Sequence, residues 1–118
     1  MEKLVFTISG ERGATNRLYV DGKLLDLEES LKVRNHSPTG FEWGYGGSGP
    51  AQSALAICLK ILPQRWMAEA LYQSFKFRFV SCWKADAFEV VIDITDFLID
   101  HRDLYESARQ RRDLDLLP

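Results

Sequence analysis

Residues 50 to 62 read PAQSALAICLKIL, from Pro50 to Leu62. The segment would be apolar on nearly every side of a helix, and Lys60 is its one charged residue. Proline is preorganised for the first helical position and loses no needed donor there, so Gly49 or Ser48 would cap the helix. A helix without a polar face must be surrounded by protein. We therefore predict a buried central helix from Pro50 to Leu62.

The chain after this helix is predicted to form a helix, two strands and a last helix. Gln64 to Ser74 repeats apolar residues at a spacing of four, which indicates a helix. Phe75 to Ser81 alternates aromatic and basic residues, and Phe88 to Ile92 is rich in β-branched residues, so a hairpin of two strands is expected. Thr95 to Arg111 again has the apolar spacing of a helix.

The chain before the central helix is predicted to form strands. Lys3 to Ser9 alternates loosely between two faces, as a strand does. Asp21-Gly22 lies between two apolar runs and favours a tight hairpin, because both turn positions require positive φ. Asp26 to Asn35 fits either a helical turn or a strand. The order of elements predicts an α+β fold, with a small, mostly antiparallel sheet packed against the buried central helix and two further helices.

Length and composition restrict the class of protein. The chain has 118 residues, a formal charge of −2, 46% hydrophobic residues and 27% charged residues. These values are ordinary for a folded protein and exclude a wholly disordered chain. We predict a single domain over residues 1–118, with residues 113–118 as a frayed tail. The small negative charge argues against nucleic-acid binding through net charge.

The ends of the chain and its cysteines indicate the compartment. The first residues show no basic region followed by an apolar core, so no secretory signal is expected. No apolar run approaches the ~20 residues that a membrane span requires. Cys58 and Cys82 are too few for a disulfide framework and are predicted to be small buried hydrophobes. We therefore predict a cytoplasmic protein without membrane contact.

A cluster of glycines precedes the central helix. Five of the eight glycines lie between Gly40 and Gly49, which indicates tight turns or close approach of the backbone to another group. Gly44-x-Gly46-x-x-Gly49 matches the dinucleotide fingerprint, but the βαβ units of a dinucleotide-binding fold are missing. A phosphate P-loop is also excluded, since no Lys-Ser or Lys-Thr pair ends the glycine run.

The same segment carries a resemblance to a known family. The stretch GFEWGYGGSGPAQ, continued by Ala54-Leu55-Ala56 and later by Tyr72-Gln73-Ser74-Phe75-Lys76, resembles an uncharacterised bacterial domain of unknown function. The likeness covers roughly residues 36 to 82, and such domains are also carried on phages and plasmids. The resemblance implies a shared fold, and it transfers no activity and no catalytic residue.

We predict that any functional site lies at this segment and at the start of the central helix. Aromatic rings can stack on a base, and backbone amides at a helix N-terminus can hold a phosphate or carboxylate. Arg65, Lys76 or Arg78 could add positive charge. The predicted ligand-binding residues are Phe41, Trp43, Tyr45, Gly46, Gly47, Ser48, Gly49 and Gln52. The opposing interpretation is that the rings cover the central helix and the glycines only turn the chain.

A protein-interaction or inhibitor domain from a mobile element, acting on a host protein, is the alternative function. Trp66 and Trp83 would be its anchors, because tryptophan is enriched in binding hot spots, although the simpler interpretation is that both are core residues. The oligomeric state is left open.

Catalysis and nucleic-acid binding are the least favoured functions. His36 and Ser48 could form a nucleophile pair of a small hydrolase, with Glu42 between them in sequence. Lys76 and Arg78, next to phenylalanines, could bind nucleic acid, but strand alternation would turn the rings inward. We predict a non-enzymatic binding module with no catalytic residue, no cofactor and no metal site.

Overall fold

A four-stranded antiparallel sheet forms one layer of the structure, a computed structural model that describes residues 3–116. The strands are β1 (Val5–Glu11), β2 (Arg17–Val20), β3 (Lys23–Leu24) and β4 (Ala87–Asp93), in the order β3-β2-β1-β4. Asp21 and Gly22 both have positive φ, 50° and 80°, between the paired residues Val20 and Lys23. The predicted Asp-Gly hairpin is therefore confirmed.

Five helices form the second part of the structure. They are α1 (Leu27–Val33), α2 (Ser48–Ile61), α3 (Arg65–Arg78), α4 (Thr95–Asp100) and α5 (Arg102–Asp115), with a 3₁₀ turn over Val80–Cys82. The ambiguous segment after β3 is thus a short helix, because the Asp26 side chain accepts from the Glu28 N–H and caps α1. No helix among residues 3–116 is long and apolar enough to cross a membrane.

The central helix α2 is buried, as predicted. Every residue from Gly49 to Cys58 is buried, and Lys60 is the one exposed residue in the last turn of the helix. The inner face of the sheet joins it in one apolar core through Phe6, Ile8, Leu18, Val20 and Ile92. The α+β class with an antiparallel sheet is confirmed.

The predicted strand from Phe75 to Ser81 is wrong, because α3 continues to Arg78. Leu71, Phe75 and Phe79 recur every four residues, and this helical stripe packs on Phe97 of α4. Phe77 lies off the stripe and is 63% exposed. The alternation of aromatic and basic residues was therefore misleading, since residues at every second position include residues four apart, which a helix also places on one face.

The predicted hairpin partner of the Phe88–Ile92 strand is consequently wrong as well. β4 pairs with β1, with Phe6 opposite Ile92 and Gly10 opposite Phe88. A C-terminal strand thus returns to the first strand of the chain.

The last predicted helix is divided into α4 and α5 at His101. The His101 Nδ1 atom lies 2.8 Å from the Phe97 carbonyl oxygen, and the two rings are in contact. α5 has no buried residue and is helical through Asp115, which includes residues 113–115 of the predicted frayed tail. Residues 117 and 118 lie outside the described part of the chain.

Candidate functional site

Two of the predicted aromatic ligand-binding residues belong to the core. Trp43 is fully buried, and its Nε1 atom donates to the Ala85 carbonyl oxygen at 2.9 Å. The guanidinium of Arg12 lies 4.6 Å from the centre of the Trp43 ring and donates to the Trp43 carbonyl oxygen at 2.8 Å. Phe41 is 3% exposed, and Asn16 donates to its carbonyl oxygen. These rings leave no exposed face on which a ligand could stack.

Arg12 holds this part of the chain in place. Its guanidinium contacts the carboxylates of Glu42 and Asp86 at 3.0 Å and 3.1 Å. Burial lowers the pKa of Arg12, but the hydrogen bonds and charges of the two carboxylates outweigh that cost and raise it. The cation is therefore already neutralised and is not available to a ligand.

Gln52, also predicted to bind ligand, is a fully buried structural residue. Its Oε1 atom accepts from the backbone N–H groups of His36 and Ser37, at 2.7 Å and 3.1 Å. Its Nε2 atom donates to Ser30 Oγ and to the Arg34 carbonyl oxygen, at 2.8 Å and 3.1 Å. All four hydrogen-bonding positions of the amide are thus filled, and they tie the end of α1 to α2.

Two glycines of the cluster allow close approach of the chain to neighbouring groups. Gly44 has φ of +90°, and a Cβ atom built there would lie 2.7 Å from the Trp83 carbonyl oxygen. A Cβ atom at Gly49 would lie 2.6 Å from Cβ of Glu42. The opposing interpretation in the sequence analysis, a segment shaped by packing, therefore holds for this part of the cluster.

The remaining predicted residues lie at the surface, at the start of α2. Tyr45 is 50% exposed, and Gly46 and Ser48 are exposed. The backbone N–H groups from Gly46 to Gly49 donate no hydrogen bond to any residue in the described range 3–116. The N-cap is Gly47, which has no side chain to satisfy them. These groups form the positive end of the α2 dipole, with Gly49 buried and the Tyr45 ring 2.6 Å from the Cβ position of Gly47.

Lys76 lies near this helix start. The connection between α2 and α3 is short, so the helices are antiparallel neighbours and the end of α3 lies beside the start of α2. The ring of Phe77 is 3.2 Å from the Cβ position of Gly46, and Nζ of Lys76 is 4.2 Å from the centre of that ring.

Lys76 is 7% exposed, yet it has no carboxylate within 4.0 Å and no hydrogen-bond acceptor among residues 3–116. The other two predicted cations are paired: Arg65 with Glu69, and Arg78 with Asp100. Among the described residues no buried side-chain nitrogen lacks a hydrogen-bond partner, so the Nζ atom of Lys76 reaches solvent while its stem is buried. We call the group Tyr45, Gly46, Gly47, Ser48, Lys76 and Phe77 the amide–lysine site.

His36 does not bond to Ser48. Its Nε2 atom lies 2.6 Å from the Tyr72 hydroxyl oxygen. Burial, and then the positive charges of Arg34 and Lys76, lower the pKa of His36, so the ring is uncharged at neutral pH. The structure therefore does not bring together the pair that a small hydrolase would require. The described residues also contain no group of three or more His, Cys, Asp or Glu side chains that could hold a metal ion.

The two predicted tryptophan anchors are not prominent at the surface. Trp83 is 7% exposed and stacks on Phe88 with ring centres 4.7 Å apart, and Trp66 is half-buried. Of the two cysteines, Cys58 is buried as predicted and Cys82 is exposed, which corrects the prediction for Cys82.

Fold and site together define a small α+β protein in which a lysine without a carboxylate partner among residues 3–116 lies near the N-terminus of a buried helix. The chain belongs to the family of unknown function DUF6166, whose model matches residues 8–101. The match extends from within β1 to the end of α4 and includes the whole amide–lysine site. No curated protein and no solved structure matches the chain.

Sequence reasoning missed Phe77 as a surface residue of this site. The signal was present in the helical stripe from Ala68 through Leu71 and Phe75 to Phe79, which leaves Phe77 on the outer side. Lys76 was among the predicted cations, but its lack of a carboxylate depends on the folded structure and has no sequence signal.

Proposed function

We propose that this protein is a non-enzymatic binding module that holds a small anionic ligand at the amide–lysine site. The observation that carries the proposal is Lys76, whose stem is buried and whose ammonium has no carboxylate partner, near backbone amides of α2 that have no acceptor among residues 3–116. A phosphate or carboxylate would satisfy both, because helix N-termini and lysine are common partners of such groups.

The aromatic residues support a ligand with a ring next to its anionic group. Tyr45 is 50% exposed and Phe77 is 63% exposed, and both contact the glycines at the start of α2. Stacking of a base on an aromatic ring contributes about 1–3 kcal/mol. A nucleoside monophosphate should therefore bind more tightly than inorganic phosphate. We propose that the protein binds this ligand in the cytoplasm.

The proposal is tested by following backbone amide signals by NMR while a probe anion is added. We expect inorganic phosphate to shift the signals of Gly46, Gly47 and Ser48, with a Kd on the order of 1 mM. AMP should bind about tenfold more tightly if its base stacks on Tyr45 or Phe77. Adenosine alone should shift the ring signals weakly.

The variant Ser48→Asp provides an internal test. A carboxylate at this position occupies the positive end of α2 and stabilises the helix by about 0.3–1 kcal/mol. It should raise the melting temperature and abolish phosphate binding. If phosphate and AMP leave the amides of Gly46 to Ser48 unchanged at about ten times the expected Kd, the proposed function is wrong.

A further inference from the structure

β4 is an edge strand with one paired side and one open side. The Ile94 N–H donates to the Leu4 carbonyl oxygen, and the Arg12 N–H donates to the Asp86 carbonyl oxygen. With the register of β1 and β4, these bonds assign the even-numbered residues of β4 to hydrogen bonding with β1. The N–H and C=O groups of the odd-numbered residues Ala87, Glu89 and Val91 therefore point away from the sheet.

This open side is not covered by another element within residues 3–116. Among the described residues β1 is the only strand beside β4, and neither α4 nor α5 makes extensive contact with β4. Val91 is 70% exposed, and Phe88 and Val90 are only half-buried although their side chains point to the inner face. β4 has seven residues without proline or lysine, so two of the usual devices that protect an edge are missing.

The charge along this edge has one sign. Residues 85 to 101 contain no lysine and no arginine, whereas Asp86, Glu89, Asp93 and Asp96 are all exposed. Asp86 is paired with Arg12, and the Asp93 carboxylate accepts from the Thr95 N–H and hydroxyl. Glu89 has no cation within 4.0 Å in the described part of the chain, and Ser9 is its neighbour across the strand pair.

A second copy of the chain is a poor match for this edge. Two β4 strands side by side would bring two sets of Glu89 and Asp93 together with no cation from either copy. Like charges across a strand pair are destabilising. An edge of this kind instead complements an extended segment that carries positive charge.

We propose that the open side of β4, the β4 edge, accepts an extended basic segment of a partner protein as a fifth strand. Main-chain hydrogen bonds to Ala87, Glu89 and Val91 would hold the segment in place. A lysine or arginine opposite Glu89 and a second one opposite Asp93, with a β-branched residue opposite Val91, would complement the outer face. This surface is separate from the amide–lysine site, and the proposal does not depend on the ligand.

The test uses the full chain and a capped peptide of about eight residues in which one valine lies two residues from each of two lysines, so that these three side chains share one face of the added strand. We expect the amide signals of Ala87, Glu89 and Val91 to shift when this peptide is added. Glu89→Lys should weaken binding about tenfold, because it replaces an attractive cross-strand pair by a repulsive one. Glu29→Lys, the same charge change on α1, should leave the affinity unchanged.

A peptide of equal charge with proline in place of this valine separates strand addition from charge attraction alone. It should not bind, because it lacks the N–H group that would donate to the Val91 carbonyl oxygen. The proposal is overturned if this peptide binds as tightly as the valine peptide, or if the shifts spread over all acidic surfaces. It is also overturned if Val91 signals change with protein concentration alone, which would indicate a second copy at the edge.

Discussion

Replacing Gln52 by leucine tests whether this buried amide is a structural residue. Leucine has a similar volume, so the change removes hydrogen bonds without opening a large cavity. The backbone N–H groups of His36 and Ser37 would lose the Oε1 acceptor, and the Arg34 carbonyl oxygen would lose its donor. Ser30 Oγ would still donate to the Leu27 carbonyl oxygen.

The expected loss of stability follows from the three backbone groups left without a partner. A buried polar group without a hydrogen bond costs about 1–3 kcal/mol, and the lower end applies to this half-buried loop, which water can reach in part. Gln52→Leu should therefore lower the free energy of unfolding by about 3 kcal/mol. Domains of this size are stable by only about 5–15 kcal/mol, so the change should be easy to measure.

Urea unfolding followed by far-UV circular dichroism measures the effect. Gln73→Leu is the matched control, because Gln73 is exposed on α3 and its replacement should change stability by less than about 0.5 kcal/mol. If Gln52→Leu costs less than about 1 kcal/mol, the four hydrogen bonds of this amide do not hold α1 against α2, and the structural role assigned to Gln52 is wrong.

Two further predictions concern a glycine and a histidine. Gly44→Ala should destabilise the protein more than Gly22→Ala. Both glycines have positive φ, so alanine at either position incurs strain of about 1–3 kcal/mol. Only the new methyl group at Gly44 would also collide with the Trp83 carbonyl oxygen. Equal losses in a thermal melt would contradict this explanation. Because the pKa of His36 is lowered in the folded state from 6.5, its contribution to stability is complete above that pH and is lost as the pH falls through the folded value. The unfolding free energy should therefore fall as the pH drops below the unfolded value of 6.5, and His36→Gln should reduce that slope; an unchanged slope would contradict this explanation.

The parts of the fold that sequence predicts correctly are those with strong local signals. Asp21 and Gly22 both adopt the positive φ that a tight hairpin turn requires. The sequence of α2 is apolar on nearly every side, so the helix is buried. Phe75, Phe77 and Phe79 fit a strand locally, and only contacts with α4 show that the helix continues. The pairing of β1 with β4 joins distant parts of the chain and has no local signal.

The segment predicted to hold the site does reach the surface at Tyr45, Gly46 and Ser48, but the role of each residue required the fold. Phe41, Trp43 and Tyr45 are equivalent in sequence, since each is a ring in a glycine-rich stretch. Trp43 is buried because Arg12 and Ala85, which are far away in sequence, contact it, whereas Tyr45 meets no such partner and stays half-exposed. Long-range contacts of this kind decide which residues remain available to a ligand.

The affinity of the Lys76→Met variant for inorganic phosphate tests the central claim most directly. Methionine keeps most of the buried stem of the lysine and removes only the charge. Lys60→Met, the same change at the exposed end of α2, is the control. We expect Lys76→Met to weaken phosphate binding at the Gly46–Ser48 amides by at least about tenfold, as one lost charge-assisted contact predicts, while Lys60→Met has no effect. If both variants bind phosphate as the wild type does, Lys76 and the start of α2 do not form an anion site.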